Sequence, residues 1–193
     1  IEPESGVAWV DDSGVVTVRY TAQVIEHYRD IATVLGLPES RVRIIGTLMG
    51  GGFGGKEDVT VEVFLALLAW KTNRPVKLTF TREEMGYGRH KRHPYVLKYR
   101  TGARKDGTLV AMEAEIVSDA GAYVYLSPWV LIYSTVHSTG PYLIPNVKVD
   151  ARSVLTNNIM TSAFRGFGGM QTVVACEAQM DELALKLGMD PLE

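Results

Sequence analysis

Apolar and polar residues alternate in two short runs near the N-terminus, and Val7–Trp9 and Val15–Tyr20 are predicted as strands. Asp11-Asp12-Ser13-Gly14 between them has the chemistry of a hairpin turn. From Ile25 to Leu35 the apolar spacing becomes helical, through Ile25, Tyr28, Ile31, Ala32 and Leu35, and Gly36 and Pro38 stop it. Val42–Ile45 reads as a short strand. Val59 to Lys71 reads as a helix that is apolar on most sides and therefore buried. Pro75–Phe80 returns to strand character, and a charged, glycine-containing stretch follows from Arg82 to Arg92. A second hairpin is predicted for Tyr95–Ala103 and Thr108–Ser118, across Arg104-Lys105-Asp106-Gly107. Ala120 to Ser138, rich in aromatic and small residues, reads as mixed loop and helix. Val147–Leu155 is a strand. Gln171 to Leu187 is a helix closed by Gly188, with Pro191 just beyond. Strands and helices interleaved with long hairpins predict an α+β fold of mixed strands and helices. No short-period repeat interrupts it. The length suits one domain over 1–193, or two sub-lobes, 1–85 and 86–193, sharing a core.

Composition narrows the function classes. Apolar content of 46% is that of a globular protein, and a net charge of −2 lacks the basic surplus of a nucleic-acid binder. The longest apolar stretch, Val59 to Trp70, is broken by Glu62 and is too short to span a bilayer, so no membrane role is expected. Ile1-Glu2-Pro3-Glu4 has neither the basic start nor the apolar run of a signal peptide, and cytoplasm is the expected compartment. Without an initiator methionine, the chain reads as a fragment or a processed piece. Cys176 stands alone, which excludes an internal disulfide and an iron–sulfur cluster held by this chain's cysteines only.

The densest local signal is Met49-Gly50-Gly51-Gly52-Phe53-Gly54-Gly55-Lys56-Glu57. Glycine weakens helices and strands, so such density points to a backbone that something approaches closely. Gly50-x-x-x-x-Gly55-Lys56 nearly makes a nucleotide-triphosphate loop, but Glu57 stands where a hydroxyl should meet magnesium. Gly50-x-Gly52-x-x-Gly55 satisfies a dinucleotide fingerprint and would support an NAD(P)-binding oxidoreductase. Against it, Glu57 and Asp58 crowd the terminus where pyrophosphate would sit, and Thr81-Arg82 replaces the ribose-binding acid, with Glu83 one step later. A tight turn without a ligand, or a non-catalytic assembly module, are the plainer readings. The theme recurs downstream as Ala163-Phe164-Arg165-Gly166-Phe167-Gly168-Gly169, suggesting two jaws on one ligand. The basic run Arg89-His90-Lys91-Arg92-His93 reads as a solvated face or a subunit contact. His90 and His93 would bind metal only with further ligands.

The two Phe-Gly-Gly loops together resemble the molybdenum-cofactor subunit of the xanthine dehydrogenase/aldehyde oxidase family. Ile1-Glu2-Pro3, Leu35-Gly36-Leu37-Pro38, Arg74-Pro75-Val76 and Ile144-Pro145-Asn146 extend the similarity along most of the chain. The resemblance implies part of the molybdopterin-binding region of a molybdenum hydroxylase, which hydroxylates an aromatic heterocycle or aldehyde with water-derived oxygen. It implies a molybdenum–pterin cofactor (molybdopterin or its cytosine dinucleotide), with iron–sulfur clusters and FAD on other domains or subunits of an oligomeric protein. It places Gln23, Gly51, Gly52, Phe53, Gly54, Arg165 and Gly166 around the cofactor. Phe53 and Arg165 would face the metal by backbone amide, with no side-chain ligand. Phe167 would stack on a planar substrate, and Glu57 would orient it. Tyr133 falls near where purine-hydroxylating members carry an arginine, which puts a xanthine substrate in doubt. Met170 replaces a usual proline and loses its fixed φ. The family's catalytic base, a glutamate in a later glycine-rich segment, matches no residue here, Glu193 included, so the fragment alone is expected to be inactive.

Overall fold

The computed structural model describes residues 1–192. The chain divides into two compact units, Ile1–His90 and Lys91 onward. In the first, β1 (Ser5–Val10) and β2 (Val16–Tyr20) form the predicted hairpin, antiparallel from Gly6 opposite Tyr20 to Val10 opposite Val16. Asp11 closes its turn by accepting the N–H groups of Ser13 and Val15 on Oδ1. Helix α1 (Tyr28–Leu35) and a 3₁₀ turn at Glu39–Arg41 carry the chain to β3 (Val42–Gly46), which lies parallel to β2. Helix α2 (Glu62–Thr72) leads back to β4 (Val76–Thr79), antiparallel to β1, and the short α3 (Glu84–Gly88) follows. The sheet order is β3-β2-β1-β4. Ala8, Val16, Val18 and Tyr20 from the sheet pack against Ile31 and Ala32 of α1 and Leu65, Ala66 and Ala69 of α2.

Two helix starts differ from the sequence reading. Helix α1 begins at Tyr28, because Gln23–His27 is occupied in a bend against the glycine loop. Helix α2 begins at Glu62 instead of Val59, so Glu57 and Asp58 do not flank a helix N-terminus. Its apolar circumference is only half covered: Leu65, Ala66 and Ala69 face the sheet, and Phe64 and Leu68 are exposed.

The second unit contains β5 (Tyr95–Ala103), β6 (Leu109–Gly121), α4 (Ser127–Val136), β7 (Val147–Leu155) and α5 (Gly169–Leu187). The order is β5-β6-β7, antiparallel and then parallel. Met112, Ala114, Ile116, Ser118 and Ala120 form the buried face of β6. The opposite face is a charge ladder: Glu113 meets Arg100 and Lys148, and Glu115 meets Lys98 and Arg152. Ser134 of α4 bonds the Tyr95 hydroxyl at 2.6 Å. Cys176 is fully buried in α5, and burial pushes its thiol up to about 11. Helices and strands mix as the α+β reading expects. No helix among the described residues is long and apolar enough to cross a membrane.

Candidate functional site

The first glycine loop leaves β3 and is held from three sides. Gln23 docks on it twice: its N–H donates to the Lys56 carbonyl at 2.9 Å, and its Oε1 accepts the Lys56 N–H at 3.2 Å. A Cβ on Gly52 would lie 2.2 Å from that Oε1. The Arg89 guanidinium covers Gly55 so closely that a Cβ there would lie 1.1 Å from Nη2. Glu2 accepts the Gly50 N–H at 3.0 Å and meets Lys56 Nζ at 2.5 Å. Part of the glycine density therefore serves packing of the loop on its own protein. The rest serves an unusual backbone: Phe53 has φ 51° and is 53% exposed. A bulky residue in the left-handed region costs about 1–2 kcal/mol, and such strain concentrates at ligand-contacting sites.

Beneath the loop lie buried acids, each facing a cation or a histidine. Glu4 lies 3.4 Å from Arg89 Nε, Asp58 lies 3.0 Å from His90 Nδ1, and Glu62 lies 2.6 Å from His27 Nδ1. The expected solvated face at Arg89–His93 is therefore corrected. Arg89, His90 and His93 are buried, because the acids of the first unit draw in Arg89 and His90, and Ser127 holds His93 at 2.8 Å. Glu57 is half-buried, and its carboxyl is raised by burial first and by Asp58 second, with His90 opposing. The Glu57 carbonyl accepts from His27 Nε2 at 3.0 Å.

The Lys56 ammonium holds the Glu2 carboxyl down to about 2. A depressed carboxylate stabilises above its ordinary value of 4.5, and that contribution is lost as the pH falls towards about 2. Acidification across that window is expected to open the Gly50 end of the loop and lower the protection of its amides relative to their intrinsic exchange. Glu2→Gln would remove the acid dependence, and a loop whose protection is unmoved by acid would refute the assignment.

The second loop repeats the geometry. Phe167 has φ 48°, Gly166 φ 95° and Gly168 φ 93°, and Gly168 caps α5. Met170, where the family pattern has proline, folds its Cγ to 2.2 Å from a Cβ on Gly166. Arg165 is exposed, and the Arg92 guanidinium stacks 4.9 Å over the Phe164 ring. The Phe167 ring meets Tyr133 edge-on at 5.8 Å, and Tyr133 stacks on His137 at 4.3 Å.

Gln23, Gly51, Gly52, Phe53, Gly54 and Glu57 thus gather in the first unit, and Tyr133, Arg165, Gly166 and Phe167 in the second. Sequence reasoning missed His137, although helical i, i+4 spacing from Tyr133 signals it. It also missed Arg89 and His27, for which no local signal exists. Among the described residues, the N–H groups of Gly51, Gly52, Gly54, Gly166 and Gly168 have no protein acceptor. Nor has the Gln23 Nε2 amide. Two clusters of main-chain donors, each beside a strained phenylalanine, fit a cofactor bearing anionic oxygens.

The sequence model described as "Molybdopterin cofactor-binding domain" matches residues 1–193. The nicotinate dehydrogenase large molybdopterin subunit of Eubacterium barkeri is 48% identical over all of this chain, which spans 46% of that protein. The aldehyde oxidoreductase of Megalodesulfovibrio gigas is 36% identical, again over the whole chain and 21% of its own length. Among solved structures, the aldehyde oxidoreductase from Desulfovibrio desulfuricans superposes with a TM-score of 0.94 at 31% identity, over 98% of this chain and 21% of that one. The chain thus spans less than half the length of either curated relative, and it belongs to the molybdopterin cofactor-binding domain family.

Proposed function

We propose that the full-length protein is a cytoplasmic molybdenum hydroxylase and that both units of this chain contribute to binding its molybdenum–pterin cofactor. The observation that carries the reading is the repeated geometry. Phe53 and Phe167 occupy the same left-handed conformation in two Phe-Gly-Gly loops of a chain that matches the cofactor-binding family throughout. The Gln23 amide, the N–H groups of Gly51 to Gly54 and those of Arg165 and Gly166 would hold the cofactor. The Phe53 and Arg165 amides would stand nearest the metal. The bound cofactor, molybdopterin or its cytosine dinucleotide, supplies hydroxylation with water-derived oxygen and takes up the two electrons released.

This chain's own residues bind and orient. Phe167 and Tyr133 offer an aromatic corner for a flat ring. The half-buried, proton-retaining tendency of Glu57 suits a hydrogen bond to a ring nitrogen or its N–H. The substrate is an aromatic heterocycle or an aldehyde. The E. barkeri relative named for nicotinate favours the heterocycle, and a tyrosine in place of an arginine disfavours a purine. Electrons would leave through iron–sulfur and flavin domains or subunits of an oligomer. The dinucleotide alternative is weakened because Lys56–Val61 separates the loop from α2, so no helix N-terminus follows it directly.

Full-length protein made with cofactor biosynthesis intact is expected to carry molybdenum and pterin in stoichiometric amount. Preparations lacking both, or tight binding of NAD(P) at micromolar concentration in their place, would overturn the reading.

A further inference from the structure

We propose that His27 is a positioning residue: a buried imidazolium that fixes the main chain of Glu57 and so sets where the Glu57 carboxyl points. The inference rests on the reading that Glu57 faces substrate, but its structural part stands without it.

The partners around the ring bear on its charge. His27 is 1% exposed and Glu62 is fully buried. The His27 Nε2 lies 3.0 Å from the Glu57 carbonyl, which can only accept, so Nε2 bears hydrogen. Around Nδ1 lie Glu62 Oε1 at 2.6 Å and the Tyr20 hydroxyl at 2.9 Å. The hydroxyl also reaches the Val24 carbonyl at 3.3 Å. The other Glu62 oxygen accepts the Thr60 N–H at 2.8 Å and its hydroxyl at 3.2 Å. An imidazole that donates from Nε2 and holds Nδ1 2.6 Å from a buried carboxyl is set to carry the positive charge of that pair.

The charged and titratable groups facing the ring are Glu62 from α2, Tyr20 from β2, Asp30 from α1 and the main chain of Glu57 in the loop. Burial alone would make the ring give up its proton. The hydrogen bond and charge of Glu62 outweigh this, and the ring's pKa lies above its ordinary value of 6.5. A raised histidine contributes fully below that ordinary value and loses its contribution as the pH climbs through the folded value. On the alkaline side Nδ1 loses its proton and its hold on Glu62, so the ring that carries the Nε2–Glu57 bond loses its anchor.

Tyr20, Asp30 and Glu62 come from β2, α1 and α2, the elements that form the core of the first unit. The loop's acid is in this way referenced to the core of the first unit. Orientation through a carboxylate–imidazole pair is a recognised way to fix a reacting group.

The test is hydrogen–deuterium exchange of the loop around Gly54–Asp58 in the intact holoenzyme, corrected for intrinsic exchange, across mildly acidic to alkaline pH. Wild type is expected to lose protection through an inflection above the ordinary histidine value. Glu62→Gln removes the anion and is expected to move that inflection down by about one pH unit or more. His27→Gln can still donate one hydrogen bond to the Glu57 carbonyl, but nothing titrates, so its inflection vanishes. The alkaline limb of kcat/KM should follow the same displacement. Protection that is flat with pH in wild type, or an inflection that Glu62→Gln leaves in place, would overturn the proposal. If either variant fails to fold, the wild-type titration alone decides. Absence of molybdenum would sink the functional reading and leave the exchange result standing.

Discussion

Gly168→Ala is expected to disrupt the second unit, and with it the Phe167 loop. Gly168 has φ 93°, and a Cβ there would lie 2.5 Å from the Val130 carbonyl oxygen and 2.2 Å from Ser134 Oγ. The carbonyl belongs to the backbone of α4 and cannot rotate away. Ser134 is itself bonded to Val130 and to the Tyr95 hydroxyl, so moving it loosens α4 from β5. The left-handed backbone adds about 1–2 kcal/mol for any residue with a Cβ. Overpacking adds about 1–3 kcal/mol. The sum, about 2–5 kcal/mol, is a large share of a domain's marginal stability. Gly188→Ala is the control, because its φ of 70° carries similar strain while nothing lies within 4 Å of its added Cβ. Denaturation midpoints of the full-length protein would compare the two. Equal losses would show that α4 yields at Gly168 and that the packing around it is not rigid.

Arg89→Ala is expected to destabilise the first unit by about 3–5 kcal/mol, the range for removing one member of a buried ion pair. Glu4 is 0% exposed and faces the Arg89 guanidinium, so the truncation strands a carboxylate inside the protein. It also uncovers Gly55, against whose backbone the guanidinium lies. Paired replacement, Glu4→Leu with Arg89→Met, should recover most of the loss, because apolar groups of similar volume satisfy a buried pair's space without its desolvation. A thermal-melt double-mutant cycle reads the coupling directly. Loss below about 1 kcal/mol in Arg89→Ala would show that the pair does not hold this part of the unit together.

Much of this fold was legible in the sequence because β2 and β5 carry apolar–polar alternation and turn residues mark the two hairpins. β5 and β7 match the predicted ranges, and the two glycine-stopped helices end where Gly36 and Gly188 adopt left-handed caps. Helix starts were less legible. Ile25 continues a helical apolar pattern, yet Gln23 and His27 are committed to tertiary hydrogen bonds that bend the chain there. The two loops stood out by glycine density, but their strained residues are the phenylalanines, and no local preference of phenylalanine announces φ near 50°. The buried ion pairs were invisible for a different reason. His27 and Glu62, or Glu4 and Arg89, are distant along the chain, and each alone looks like an ordinary surface residue. The basic run at Arg89–His93 was misread because charge pattern reports solvation only where no buried acid waits for it.

The charge ladder on β5, β6 and β7 also acts as a proofreader of strand pairing. Lys98 and Arg100 share one face of β5, and Tyr95, Leu97 and Tyr99 share the other. A slip of one residue would turn β5 over, driving two cations under α5 and lifting the aromatic residues into water. Misaligned chains would incur desolvation at several charges at once, so errors of register are rejected while the sheet assembles, before any cofactor is present to select the correct form.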